Sequence, residues 1–445
     1  MSKHVFYKST VVSVSCVLIL FTAIPFNYAQ EEKHILDTLE AIKHPFSRYT
    51  DLELGLWNFF LARWHKNHLR DFILENYEKE QREIYRNYTY LYAHWRATDF
   101  FSSSLILRNI RYFRDYYGVK NENKGIDVYE LYATLKQTNF SAKLGRQYLK
   151  IGKGFLLRDI ADAGLLSYED DFVTLSFAKG EVVDPPFDPY FEEPDNEKDF
   201  YYAGATLKNV YQQKATLYWA RLMDESPEDL EYDAYYLGVI ATGELVEQLS
   251  YYFEYITGWG TSSVYNPPED NPSAREDIDA WLCNFSLSYA LLTRFNPVIT
   301  GEVVFASGDS DAGSVINPKR GNVYGTEDKN FRGIDGFVIY GLALDPDMSN
   351  IQIYRIGASF DCSQNISSEI NYYYYRKAKK HGIISDPTAY LPHNHIGDEI
   401  DLSVLYSINE YLSCEFNFAY FMPGDAYKEG TKNEQLFEII LTFIW

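Results

Sequence analysis

The last nine residues, Phe437-Glu-Ile-Ile-Leu-Thr-Phe-Ile-Trp445, decide the fold. Side chains of an extended strand point alternately to its two faces. One face therefore carries Phe437, Ile439, Leu441, Phe443 and Trp445, and the other carries Glu438, Ile440, Thr442 and Ile444. An aromatic face opposite a face that carries a carboxylate is typical of a strand between lipid and a wet interior. The pattern predicts a transmembrane β-strand.

The same alternation recurs upstream in segments of about 9 to 12 residues, the length that a tilted strand needs to cross a bilayer. The segments are 411–421, 396–406, 366–375, 351–360, 298–305, 279–291, 248–257, 233–241 and 214–222. Short connections at 407–410, 361–365 and 293–296 alternate with long ones at 308–350, 377–395 and 423–433. Short periplasmic turns and long extracellular loops characterise outer-membrane barrels. We therefore predict an all-β fold, a transmembrane antiparallel β-barrel of roughly 16 to 18 strands.

The N-terminus predicts export from the cytoplasm. Lys3 and Lys8 precede an apolar run at 11–21, and Asn27-Tyr-Ala29 follows, which indicates a signal peptide over 1–29. Residues 30–85 are predicted to form a periplasmic or lumenal segment, or to contain a first strand near 52–60, and residues 86–445 to form the barrel. No later segment approaches the roughly 18 to 20 consecutive apolar residues of a spanning helix, which excludes a helical membrane protein. The predicted location is the outer membrane.

Composition restricts the partners. The aromatic fraction is 17%, the charged fraction is 23% and the formal net charge is −22. This charge argues against a nucleic-acid partner. The expected partners are outer-membrane lipid, the barrel assembly machinery, and a saccharide or organic solute, with the protein a monomer. No zinc spacing or disulfide framework is visible among Cys283, Cys362 and Cys414.

A channel selects its solute through charges in its lumen, so the candidate site residues are charged side chains predicted to face inward. The acidic candidates, Glu399 and Asp401, belong to a set of inward carboxylates on the later strands. The opposite charge predominates on the earlier strands, which suggests a field across the lumen. The basic candidates are Arg96, Arg108, Lys136 and Arg355. The alternative for each is an ion pair that only satisfies a neighbouring strand.

Four short motifs occur in order along the chain. They are Gly145-Arg-Gln147 with Gly152-Lys-Gly154, Ala306-Ser-Gly-Asp-Ser-Asp311, Ile396-Gly-Asp-Glu-Ile-Asp-Leu402 and Phe421-Met-Pro-Gly424. With them the chain resembles the alginate export family of outer-membrane porins from Tyr88 to Trp445. The resemblance implies a monomeric barrel of about 18 strands with a basic constriction that passes an anionic polysaccharide. It also makes Arg146 a pore-lining candidate, although alternation places Arg146 beside Leu144 and Tyr148.

The predicted function is an outer-membrane channel for passive passage or export of a charged polysaccharide, an oligosaccharide or a small organic solute. A non-conducting structural or adhesion barrel is the alternative. An outer-membrane hydrolase is disfavoured because the histidines are scattered, so we predict no enzyme and no cofactor. Asp309 and Asp311 resemble a loop calcium site, and the alternative is an Asp-rich turn without an ion.

Overall fold

The computed structural model describes residues 47–49, 52–66, 81–116, 119–183, 198–210, 212–224, 231–265, 274–310, 322–323, 326–336 and 338–445. The signal peptide predicted at 1–29 lies outside these residues. Within the described part of the chain, no helix is long and apolar enough to cross a membrane.

The described strands form one antiparallel wall. The wall strands are β2 (Leu52–Lys66), β3 (Gln81–Arg96), β4 (Phe101–Tyr116), β5 (Val119–Gln137), β6 (Phe140–Ile151), β7 (Leu157–Glu169), β8 (Val173–Val182), β9 (Lys198–Val210), β10 (Gln213–Asp224), β11 (Tyr232–Val246), β12 (Leu249–Tyr265), β13 (Arg275–Ala290), β14 (Val298–Ala306), β16 (Ile351–Ser363), β17 (Ile366–Lys377), β18 (His395–Asn409), β19 (Leu412–Pro423) and β20 (Glu434–Ile444). Two short elements, β1 (Ser47–Tyr49) and β15 (Asn322–Val323), pair with β2 and β12.

The wall closes on itself. Each wall strand pairs with its neighbours in sequence, and the last strand, β20, pairs with β2 from Trp57↔Ile444 to Lys66↔Gln435. Closure gives an 18-strand barrel, which confirms the predicted fold class. The wall begins at Leu52 instead of residue 86, because 52–66 alternates between its faces and forms a full strand.

The two faces of the wall differ as the C-terminal strand predicts. Glu438 is 1% exposed and faces inward, whereas Phe437 is 42% exposed on the outer face. Aromatic side chains form rows on the outer face, as in Trp219, Tyr235 and Trp259, whose successive ring centroids are 6.3 and 6.1 Å apart. These rows match the aromatic girdles by which barrels meet the membrane interfaces.

One hairpin leans into the barrel. The pairing of β6 with β5 ends at Leu131↔Arg146. The preceding residue, Gly145, has a φ of 122°, and a Cβ atom at this position would collide with the Leu131 carbonyl oxygen. Beyond this point Tyr148 of β6 packs in one cluster with Tyr90 and Tyr129 from the inner face of β3 and β5. The long-loop ends of β6 and β7 therefore separate from β5 and lie inside the wall.

Residues 326–336 and 338–350 of the connection between β14 and β16 also lie inside the wall. Their buried side chains, including Phe331, Tyr340 and Leu344, join the main hydrophobic core together with inward side chains of the strands. We call residues 307–350 the constriction loop. The core of the protein thus lies in the half of the barrel that is nearer the long loops.

Candidate channel constriction

A charged cluster lies where the constriction loop leaves the wall. Arg355 of β16 pairs with Glu302 of β14 at 3.3 Å and with Glu369 of β17 at 2.6 Å. Its Nε also donates to Asn371 Oδ1 at 2.8 Å. All three charged side chains are at most 8% exposed. Arg355, a predicted pore-lining residue, therefore faces inward but is neutralised by two carboxylates.

Tyr340 attaches the loop to this cluster. Its hydroxyl donates to Glu302 Oε1 at 2.8 Å and accepts from Lys153 Nζ at 3.1 Å. Lys153, in the turn between β6 and β7, also pairs with Glu302. The loop, the leaning hairpin and the wall are thus joined at one point.

Glu399 and Asp401 hold the loop by its backbone. The two carboxylate oxygens of Glu399 accept the backbone N–H groups of Ala343 at 2.7 Å and Leu344 at 3.1 Å. Asp401 Oδ2 accepts that of Leu342 at 3.0 Å. Both acidic side chains are buried. The sequence correctly places them inward, but their contacts are with the loop, because unpaired loop N–H groups need buried acceptors.

Further bonds carry the loop across the interior. The N–H of Ile334 donates to the Leu156 carbonyl at 2.8 Å, and Arg332 pairs with Asp224 of β10. The backbone of Asp328 exchanges hydrogen bonds with Asp277 and Asp279 of β13. Burial raises the pKa of Asp328 to about 6. The loop is therefore hydrogen-bonded or ion-paired to β10, to β13 and to the turn between β6 and β7, and it narrows the lumen.

The other basic candidates occupy two positions. Arg108 is buried, with Nη2 2.5 Å from Asp127 Oδ2 and the guanidinium 4.6 Å from the Tyr129 ring centroid. Arg96 and Lys136 are exposed at the short-turn ends of β3 and β5. The four basic candidates are therefore not brought together into one ring.

Arg146 does not belong to the inner face. It shares the outer face of β6 with Leu144 and pairs with Asp162 of β7 at 2.8 Å. Its Nη1 donates to the Val128 carbonyl at the place where β6 leaves β5. The pore-lining expectation for Arg146 is thus wrong in this geometry, because Gly145 takes the inward position opposite Tyr132.

The predicted calcium site is only partly described. Asp309 is buried, and its carboxylate accepts the N–H of Lys329 at 3.3 Å. Asp311 lies outside the described residues. Among the residues that the structure describes, no group of three or more His, Cys, Asp or Glu side chains could hold a metal ion.

The interior nearer the short turns carries small hydroxyl side chains on most strands, a feature that charge-based reading of the sequence missed. Several bond across strands: Thr206 with Thr216 at 2.8 Å, and Ser288 with Thr300 at 2.9 Å. The sequence pattern that could have revealed these residues is a Ser or Thr that alternates with lipid-facing apolar residues near the short turns. We call this set the hydroxyl vestibule: Ser102, Thr134, Ser141, Ser167, Ser176, Thr206, Thr216, Ser288, Thr300, Ser359, Ser403 and Ser413.

Several solved structures from Pseudomonas aeruginosa have the same fold, among them the outer membrane protein OprD. OccK8 (OprE) matches with a TM-score of 0.57 and 12% identity over 89% of this chain and 98% of that chain. OprD matches with a TM-score of 0.57 and 11% identity over 90% of this chain and 96% of that chain. OpdK, whose structure was solved with vanillate, matches with a TM-score of 0.56 and 10% identity over 88% of this chain and 98% of that chain. No curated protein matches the chain significantly.

A family comparison agrees with the barrel and with the sequence motifs. The Alginate export family model matches residues 113–437, which is well over half of the chain. The match covers the constriction loop and its anchors on β14, β16, β17 and β18. The protein belongs to the alginate export family and is an outer-membrane channel for the passage of solutes or polysaccharide.

Proposed function

We propose that the channel passes a hydroxyl-rich solute of low charge, an oligosaccharide being the best fit, in preference to a polyanion. The observation that carries the proposal is the hydroxyl vestibule, since Ser and Thr side chains can donate to and accept from sugar hydroxyls. A solute with many hydroxyl groups exchanges its water for such a wall at little cost.

The inward charges support the same proposal. Arg63 lies 2.6 Å from Glu438, Arg108 pairs with Asp127, and Arg355 lies between two carboxylates. The cationic side chains of these three pairs are thus compensated locally and add no excess of positive charge to the lumen. A polyanion would be favoured by a lumen with an excess of cationic side chains.

Planar-bilayer recordings test this function. We expect discrete channel currents, a reversal potential close to zero under a KCl gradient, and current block by neutral oligosaccharides at lower concentration than by uronate oligomers. Vanillate, the carboxylate in the OpdK structure, tests passage of a small aromatic acid. Stronger block by uronates or vanillate would contradict the proposal, and correctly folded protein without current would favour the non-conducting alternative.

A matched pair of variants locates the interaction. Replacing Ser288 with Ala and Thr300 with Val removes one hydroxyl pair of the vestibule, so neutral saccharides should block less well. The control is Thr257→Val on β12, which lies on the outer face between Tyr255 and Trp259. Equal loss of block in both proteins would show that the inner hydroxyls do not carry the interaction.

We further propose that the chain is exported through a cleaved signal peptide at 1–29, is assembled as a monomer by the barrel assembly machinery, and has no catalytic activity. The support for assembly is the last strand, whose outer face bears exposed Phe437 and Trp445. Trp445→Ser should lower the amount of folded, heat-modifiable protein in outer membranes without changing total synthesis. An unchanged folded fraction would contradict a role of Trp445 in assembly.

A further inference from the structure

Two like charges lie opposite each other on the outer wall. Arg111 of β4 and Lys124 of β5 are direct register partners, and both side chains are exposed. They share the outer face with Leu107 and Ile126, while Arg108 and Asp127 face inward. Like charges directly opposite across two strands repel each other. An anion bound between them would remove this repulsion.

Their height on the wall suits a lipid headgroup. Arg111 is ten residues beyond Phe101, where β4 begins beside a short turn. At about 3.3 Å per residue and a tilt of about 40°, this places it about 25 Å along the barrel axis from the turn. The apolar band of such barrels is also about 25 Å tall. Arg111 and Lys124 therefore lie where the outer leaflet's headgroups begin.

The surface beside the two cations suits acyl chains. On the outer face of β5 and β6, Ile126 is 73% exposed, Leu131 is 52% exposed and Leu144 is 57% exposed. Arg146 lies at this split with Asp162, and both side chains are partly exposed. An apolar surface below a cationic pair has the two parts that a phosphorylated lipid requires.

Outward arginines on the opposite side of the barrel differ. Arg221 pairs with Asp233 at 2.9 Å, and Arg275 pairs with Glu231. Among the side chains that the structure describes, Arg111 and Lys124 form no ion pair. We propose that Arg111 and Lys124 bind a phosphate of lipid A, the phosphorylated glycolipid of the outer leaflet, with its acyl chains along β5 and β6.

Native mass spectrometry of the refolded full-length protein tests this site. Bisphosphorylated lipid A, added to the protein in detergent, should be retained as one lipid per barrel, and its phosphate-free counterpart should be retained less. Arg111→Gln with Lys124→Gln should weaken retention about tenfold or more, since two charge-assisted contacts to the phosphate are lost. Heat-modifiability on gels confirms that each variant is folded.

Arg221→Gln with Arg275→Gln is the matched control, because it also removes two outward cations. This control should retain lipid A as the unchanged protein does. Equal retention by the Arg111/Lys124 variant, equal retention of the phosphate-free lipid, or equal weakening in the control would overturn the site. Channel currents report separately on the proposed transport, because neither pair of substitutions touches the lumen.

Discussion

Replacing Glu399 with Gln and Asp401 with Asn should raise the single-channel conductance several-fold and make the current flicker. Glu399 accepts two loop N–H groups and Asp401 accepts a third. At Glu399 the amide has one acceptor oxygen for two donors, so its N–H₂ group is turned towards one of them, and at Asp401 the amide oxygen is a weaker acceptor than the carboxylate. Each buried N–H group that loses its acceptor costs roughly 1–3 kcal/mol of the free energy that holds the loop in place. The constriction loop should therefore detach from β18 for part of the time. Planar-bilayer recordings measure both effects.

Glu415→Gln is the matched control for this prediction. Glu415 is also a buried inward carboxyl, but it accepts from Asn417 of its own strand at 2.9 Å and bonds to none of the loop residues that the structure describes. The conductance of the Glu415→Gln variant should stay close to that of the unchanged protein. If the Glu399/Asp401 variant also conducts as before, then the loop does not limit the current.

Arg355→Met should be the most destabilising single change in the wall. Removing the guanidinium leaves Glu302 and Glu369 buried without their shared cation. Breaking a buried ion pair from one side costs roughly 3–5 kcal/mol of the free energy of unfolding. Urea unfolding of the barrel in lipid vesicles, followed by tryptophan fluorescence, measures this loss.

Arg221→Met gives the comparison for Arg355. Arg221 pairs with Asp233, but both side chains are about one-third exposed, so its loss should cost no more than about 1 kcal/mol. Arg355→Lys should recover part of the stability, because the charge returns without the planar fork that contacts two carboxylates and Asn371. Similar losses for Arg355→Met and Arg221→Met would mean that the cluster is not a structural centre.

The sequence predicted the wall strands from β10 onwards well, because each of them carries its own signal. Phe437 and Glu438 alternate between lipid and interior, and this period of two depends on local geometry alone. The sequence also placed Arg108, Arg355, Glu399 and Asp401 inward for the same reason. It could not predict their partners, because an ion pair such as Arg108 with Asp127 depends on the register between strands.

The constriction loop could not be predicted from periodicity. It is held by backbone N–H groups, as at Leu342 and Ala343, and backbone donors leave no mark on the sequence. The pore-lining expectation for Arg146 came from the family resemblance, whereas alternation places Arg146 with Leu144, and the structure has both on the outer face of β6. The hydroxyl vestibule was readable but was overlooked, because Ser and Thr on an alternating strand carry no charge.

The pairing of β14 with β16 separates two properties of the channel. Glu302 and Arg355 are direct register partners, so the strands on either side of the constriction loop already hold each other. The barrel wall therefore does not depend on residues 307–350 for its continuity. Changes in length or composition there can redefine the aperture and its cargo while the wall and its membrane contacts stay the same. Residues 307–350 can accordingly be replaced, in evolution or by protein engineering, without a change in the strand pairing of the wall.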